Sequence, residues 1–346
     1  MLEGKSQAIG LEAFQQITLD AFVDEVASTA AIEGQRFPRE LVHSSMVRKH
    51  KRVPRRSGCR SVDGLVDVID DAITRSDQLL DIDRLCRWQS ALFPGDISRS
   101  PRFVVGRFRE GHGCMRIMGN MHGREVIHYE ALPSSELPQE MDRFLKWFND
   151  TKPAQTKLPG SYVDGFARAA IAHLWFESIH PFEDGNGRIG RTIVSMALAQ
   201  SLRGSARLYS LSRQLLSARG EYYEALNSAQ RGDMEVSDWV KWFIGQSTTA
   251  CAISIKNIDQ VIEKRRFWER AQDSALNERQ KRVLHLLLDS GNSAAPEDLN
   301  AEKYMTLTGI SKATATRDLS SLVNAGQLFT LGAGKALRYQ LALHTR

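Results

Sequence analysis

Residues His180 to Arg191 read His-Pro-Phe-Glu-Asp-Gly-Asn-Gly-Arg-Ile-Gly-Arg. This short run holds a titratable imidazole, a carboxylate, two glycines around an asparagine, and two arginines. The imidazole of His180 titrates near neutral pH, as a general base must. Backbone N–H groups in a glycine-rich turn that opens a helix converge on one point and bind anions. Arg188 and Arg191, three residues apart, share one helix face, and their guanidinium forks match phosphate oxygens. Asp184 beside such an anion would be repelled without a cation between them, which implies Mg²⁺ held by one carboxylate and phosphate oxygens. The chemistry is transfer of a phosphorus group from a nucleotide.

Positioning these groups needs a helix, a turn and a second helix. Phe166 to Ile179 is rich in Ala, Leu, Trp and Phe at helical spacing and reads as a buried helix ending near His180. Pro181 and the Asp184-Gly-Asn-Gly run turn the chain. A new helix follows, with Ile189, Ile193, Met196 and Leu198 available for a core.

The motif resembles the signature of Fic-domain proteins, His-Pro-Phe-x-(Asp/Glu)-Gly-Asn-Gly-Arg-x-x-Arg, at every position. Members of that family typically transfer AMP from ATP to a protein Ser, Thr or Tyr hydroxyl and release pyrophosphate. The resemblance implies that His180 is the general base and that Phe182 anchors the loop. It makes Asp184 the Mg²⁺ ligand and Gly185, Asn186 and Gly187 the anion hole. Arg188 would grip the α- and β-phosphates and Arg191 the γ-phosphate. Tyr222, Tyr223 and Gln230, on a later helix, match positions that line the adenosine pocket in relatives; aromatics at that spacing serve a core equally well.

Residues Thr29-Ala-Ala-Ile-Glu-Gly34 resemble the motif (Ser/Thr)-x-x-x-Glu-(Gly/Asn) by which such proteins restrain themselves. Thr18 to Glu33 has helical apolar spacing (Phe22, Val26, Thr29, Ile32), and Gly34 is a natural C-cap. Glu33 would form a bidentate pair with Arg191 where the γ-phosphate belongs, so the chain is expected to be self-inhibited. Val62 to Ala72 and Leu92-Phe-Pro-Gly95 resemble segments of one Fic subfamily, in which a Trp-His pair precedes the Leu-Phe-Pro; here it is Trp88-Gln89. Gly106 to Pro133 resembles the family's flap. Two extended runs around Gly119-Asn120 predict a hairpin there, whose edge could align a target segment.

The chain has 346 residues, net charge +5, 42% hydrophobic and 25% charged residues, as an ordinary globular protein does. No apolar run approaches the roughly 20 residues of a membrane span. The first residues, Met-Leu-Glu-Gly-Lys-Ser-Gln, hold no apolar signal core. Cys59, Cys86, Cys114 and Cys251 show neither metal spacing nor a paired framework. The expectation is a cytoplasmic protein with no membrane partner, supplied with ATP and Mg²⁺. Arg48, Lys49, Lys51, Arg52, Arg55, Arg56 and Arg60 make residues 41–61 basic; a solvated loop is the preferred reading over a nucleic-acid contact. Residues 153–160 read as another loop.

A boundary is expected near Arg270 to Leu276, after a helix over Trp239–Arg270. Asn277 then caps the first of three helices, at roughly 278–289, 301–308 and 312–325, followed by strands at 327–331 and 336–341. This order predicts a winged helix-turn-helix. Lys312, Thr314, Thr316, Arg317, Lys335 and Arg338 would suit phosphate contacts, but residues 278–346 hold only nine Lys/Arg against six Asp/Glu. Protein docking is slightly favoured over DNA. The fold expected is mainly α: a Fic-type helical core with a short β-hairpin flap, plus a small C-terminal winged helix-turn-helix domain. The division is 1–60 for the N-terminal helical region with inhibitory helix and basic loop, 61–270 for the catalytic core, and 277–346 for the winged helix. The substrate is a protein or the chain itself, with a homodimer expected from relatives. A different class of reading makes the chain a DNA-binding transcriptional regulator whose nucleotide site acts as a sensor.

Overall fold

The computed structural model describes residues 11–51, 60–94, 104–111, 114–121, 124–153, 164–202, 208–232, 235–272, 274–290 and 299–343. The chain divides into two compact units, Met1–Lys256 and Asn257–Arg346. The division falls inside one long helix, α10 (Ser237–Ala271). Among the described residues, no helix is long and apolar enough to cross a membrane. Of the basic segment 41–61, residues 52–59 with Cys59 lie outside the described residues, as does 154–160 of the second expected loop. The described part of the basic segment is helical rather than loop up to His50, and Arg48 and Lys49 there pair with Asp63, Asp67 and Asp70.

At the centre of the first unit, α6 (Gly165–Ile179) packs against α7 (Asn186–Leu202). Asp164 caps α6 by accepting from the N–H groups of Phe166 and Ala167 at 2.9 and 3.3 Å. Most of α6 is buried, including Ala169, Ala170, Ala172 and Phe176, together with the polar Arg168, His173 and Glu177. Its end is fixed by His180, which adopts the left-handed conformation (φ 50°, ψ 59°) and donates its N–H to the Phe176 carbonyl. Around this pair stand α3 (Arg60–Thr74), α4 (Ile82–Leu92), α5 (Leu137–Asp150), α8 (Leu211–Ser217) and α9 (Arg219–Arg231). Gly64 lets α3 meet the backbone of α4, because a Cβ there would collide with the Ala91 carbonyl oxygen.

The N-terminal helix α1 (Leu11–Ile32) is followed by α2 (Arg39–His50). Val23, Val26, Ala30 and Ile32 of α1 enter the core. The buried Glu25 carboxylate accepts from the hydroxyls of Ser210 and Ser212 and from the Ser212 N–H, so it sits on the N-terminus of α8, where a negative charge is favoured. Gly34, at φ 78°, ends α1, and the N–H of Gln35 returns to the Ala30 carbonyl.

The expected hairpin forms from β1 (Cys114–Met121) and β2 (Arg124–Pro133), antiparallel. Its turn is displaced from the predicted place. Gly119 and Asn120 pair with Val126 and Glu125 inside the ladder, and pairing continues to Met121 and Arg124. A Gly-Asn dipeptide is only a local turn preference, and the longer ladder satisfies more backbone groups.

The second unit holds the end of α10, then α11 (Glu278–Ser290), α12 (Ala301–Thr308), α13 (Lys312–Asn324), β3 (Leu328–Leu331) and β4 (Arg338–Leu341). Asn277 and Gln280 cap each other's N–H groups, Gly309 closes α12 at φ 70°, and Ser311 caps α13. β3 and β4 pair antiparallel, and Leu299 bridges to Tyr339. Three helices followed by a hairpin is the order read from the sequence. The core is built on Phe267, Val283, Leu284, Tyr304, Leu319, Leu322 and Tyr339.

Substituting Gly64→Ala should destabilise the first unit by about 1–3 kcal/mol or more, because backbone rather than a flexible side chain must give way. The shift of the urea midpoint reads this, and an unchanged midpoint would mean the α3–α4 contact is looser than described.

Candidate active site

The turn between α6 and α7 is held by its own side chains. Asn186 accepts from the Phe182 N–H at 3.0 Å and donates to the Phe182 carbonyl at 2.7 Å, closing the loop on itself. Phe182 is fully buried, edge-on to Phe108. Gly185 takes φ 93°, and a Cβ there would lie 3.2 Å from the Phe93 ring. Arg109 donates to the carbonyls of His180, Leu132 and Ile179, while its own N–H reaches the Pro181 carbonyl. Gln89, which replaces the subfamily's histidine, is buried; it donates to the Asp184 carbonyl at 3.4 Å and accepts from the Gly106 N–H at 2.5 Å. It therefore links the catalytic turn to the segment preceding the hairpin.

His180 is largely buried, and burial pushes its pKa down to about 4. Its Nδ1 lies 3.3 Å from the Glu177 carbonyl. Donation there places the proton on Nδ1 and leaves Nε2 as a proton acceptor. A neutral imidazole with a free lone pair is the state a general base requires.

The two arginines come together as expected. Arg191 is 2% exposed. Its Nε donates to the Thr29 hydroxyl at 2.7 Å, and one terminal nitrogen reaches both the Thr29 carbonyl at 3.1 Å and a Glu33 carboxylate oxygen at 2.6 Å. The pair with Glu33 thus runs through one recorded bond rather than the expected two-pronged contact, because the Thr29 hydroxyl takes Nε and the Thr29 carbonyl shares the terminal nitrogen. Burial would raise the Glu33 pKa, but Arg191, with Arg188 and Arg219, holds it below the usual carboxylate value. The Glu33 carboxylate also stands directly over Gly187, in the space a Cβ would fill. An anion therefore occupies the first turn of α7 already.

Arg188 is buried, stacked 4.9 Å from the Phe93 ring centre, with nitrogens 3.3 Å from Gln35 and 3.4 Å from Asp184. Asp184 keeps its side chain 59% exposed, so its carboxylate remains open to a cation. Among the described residues, no cluster of three or more acidic, histidine or cysteine ligands exists. A lone exposed carboxylate fits Mg²⁺ that completes its shell with phosphate and water oxygens.

Tyr222 is buried beneath this site, its hydroxyl 2.7 Å from His173 Nε2, within a stack that includes Trp239 and Trp242. Tyr223 is half-buried near Glu33, its hydroxyl 3.5 Å from the Ile32 carbonyl, and Gln230 lies half-buried farther along α9. Sequence reasoning missed His173, Glu177, Arg109 and Gln35. Polar residues one helical turn apart on an otherwise apolar helix, His173 and Glu177 on α6, were the only available signal.

Below its unfolded pKa near 6.5, His180 in the unfolded chain takes up a proton that the folded chain refuses down to about 4. Stability contributed by this group is therefore lost as pH falls through that window. From about pH 7 to about pH 5, wild type should lose up to about 2 kcal/mol more stability than His180→Ala. Equal losses in urea melts at both pH values would contradict a buried neutral imidazole.

Residues 79–198 match the family model described as Fic/DOC family, and residues 1–51 match a domain of unknown function (DUF4172). The protein adenylyltransferase Fic of Nematostella vectensis is 23% identical over 222 residues, 62% of this chain and 45% of that protein. A probable protein adenylyltransferase of Aquifex aeolicus is 28% identical over 104 residues, 30% of this chain and 27% of that protein. The chain spans less than half the length of these curated relatives. Among solved structures, a Fic family protein from Desulfovibrio desulfuricans G20 aligns over 100% of this chain and 96% of its own, with TM-score 0.52 and 17% identity. The helical turn that carries His180, Asp184, Arg188 and Arg191 therefore lies in the segment that matches the Fic/DOC family, and the chain shares the fold of a Fic-family structure.

Proposed function

We propose that this chain is a protein adenylyltransferase that moves AMP from ATP to a Ser, Thr or Tyr hydroxyl of a protein, or of itself, and is restrained by Glu33. The observation that carries this reading is a neutral buried base, His180, beside an arginine-lined cradle whose anion position over Gly187 is taken by a carboxylate. The relatives named as protein adenylyltransferases support the same reaction class.

His180 Nε2 accepts the proton of the incoming hydroxyl as its oxygen attacks the α-phosphorus, and pyrophosphate leaves with the bonding electrons. The α7 N-terminus and Arg188 neutralise charge on the phosphates. Asp184 would hold Mg²⁺, which supplies further charge neutralisation at the phosphate oxygens. Arg191 would receive the γ-phosphate once Glu33 leaves it. Tyr223 and Gln230, both half-buried on α9, would contact the adenosine, with Tyr222 packed against Tyr223.

A second reading, regulation through nucleic acid, rests on α13. There Lys312, Thr316 and Arg317 are exposed, while Asp318 turns inward to Tyr304, Arg279 and Asn277. Withdrawal of the acid leaves a basic helix face, in the arrangement of a winged helix-turn-helix. If that face grips a duplex, Lys312→Ala and Arg317→Ala should each lower the salt slope of binding by about 1. Slopes equal to wild type would leave protein docking as its role.

The transferase reading is tested with α-labelled ATP and Mg²⁺. Glu33→Gly removes a charge-assisted bond worth about 1.5–3 kcal/mol and should raise AMP incorporation by about one to two orders of magnitude. Adding His180→Ala should abolish it. Incorporation that survives the His180 substitution would remove the imidazole as base, and equal incorporation with and without Glu33 would remove the restraint.

A further inference from the structure

Glu177 is a buried carboxyl that the reaction as written does not use. It lies on α6 one turn before His180 and is 6% exposed, on a helix whose other buried polar side chains are Arg168 and His173. One of its oxygens, Oε2, is 3.9 Å from His180 Nδ1. The other, Oε1, has no hydrogen-bond partner and faces Gly190 together with the equally unpartnered Nδ1 of His173. Gly190 is what admits them, since a Cβ there would collide with Glu177 Oε1 and lie 2.9 Å from His173 Nδ1. Burying a carboxyl with an unsatisfied oxygen costs stability that an apolar side chain of the same size would not. A purely structural role is therefore poorly served by this residue.

We propose that Glu177 is a positioning residue for His180, a buried carboxyl behind the Nδ1 edge of the base that couples the base to the Glu33–Arg191 pair. The inference rests on the reading of His180 as the proton acceptor. When the target hydroxyl gives its proton to Nε2, the imidazolium formed presents Nδ1–H toward the Glu177 carboxyl. An ionised Glu177 stabilises that cation; a neutral one only orients the ring. The groups that face Glu177 are His173 and His180 from α6, Arg191 from α7, Glu33 from the end of α1 and Tyr222 from α9. Burial pushes its pKa up to about 8, Arg191 opposes this, and Glu33 adds to it. In the restrained state the carboxyl is thus mostly neutral at pH 7, and departure of Glu33 favours its ionisation. The inhibitory residue then acts twice, by filling the anion position and by keeping the support of the base uncharged.

The test is a pH titration of the His180 ring nitrogens by NMR, with the resonance assigned through its loss in His180→Ala. Wild type should show a step in the His180 shifts near pH 8. Glu33→Gly should move that step to lower pH by about half a unit or more, and Glu177→Gln should erase it. In AMP transfer, Glu33→Gly/Glu177→Gln should have a kcat about 10-fold below Glu33→Gly, a KM for ATP within about twofold, and no rise of kcat with pH. His180 shifts that stay flat from pH 6 to 9 in wild type, or a step that survives in Glu177→Gln, would overturn the proposal. The wild-type and Glu33→Gly titrations decide it even where Glu177→Gln does not fold. Absence of AMP transfer by Glu33→Gly with the step intact would instead refute only the transferase reading.

Discussion

Everything around the site follows from a guanidinium that is almost wholly buried. Arg191 cannot shed its proton, and an unpaired cation in the interior is severely destabilising, so the structure must supply an anion and polar oxygens beside it. The end of α1 delivers them. The last turn of α1 tightens, the Glu33 N–H bonding to the Ala30 carbonyl, and this leaves the Thr29 carbonyl for Arg191. A cation at a helix C-terminus is also favoured by the peptide dipoles, while Glu33 at that same end is not. Arg191 resolves both conditions at once. Exchange of the Glu33 carboxylate for a phosphate would preserve this compensation, so the restraint proposed for Glu33 would be relieved by replacing one anion with another rather than by exposing a bare charge.

The attachment of α1 makes that exchange local. Glu25 is bound to α8, and Val26, Ala30 and Ile32 are in the core, so detaching the whole helix would break many contacts together. The Glu33 side chain is about one-third exposed and follows the last helical residue, next to Gly34 in a left-handed conformation. Rotation of this one side chain would clear the carboxylate from Arg191 without melting α1. Gln35, beside Arg188, belongs to the same chain reversal and would move with it.

The sequence disclosed the site far better than its foundations. His180 to Arg191 is contiguous, and each member has a distinctive chemistry, so proximity in sequence became proximity in space. Glu33 was legible because a local motif and the Gly34 cap coincide. The hairpin was legible in kind but not at its turn, where pairing of Gly119 and Asn120 with strand partners overrode a local preference. Arg109, His173 and Glu177 were not legible. Arg109 acts through backbone carbonyls that no side-chain pattern encodes, and the other two read as scattered polar residues on an apolar helix. Tyr222 shows the limit from the other side, since its spacing fits both a ligand pocket and a core, and only burial against His173 and Trp242 places it.

Gly187 and Gly190 tie these observations together. They lie three residues apart on α7, and neither could carry a Cβ without collision, the first with Glu33 and the second with Glu177. One glycine therefore admits the Glu33 carboxylate, and the other, one turn on along the same side of α7, admits the buried Glu177 carboxyl. Arg191 follows directly after the second glycine, within the field of both acids. One face of a single helical turn thus brings together the carboxyl proposed to gate the nucleotide and the carboxyl proposed to back the base. A larger residue at Gly187 would displace the Glu33 carboxylate, and one at Gly190 the Glu177 carboxyl, because a Cβ at each would collide with the carboxyl oxygen it now faces.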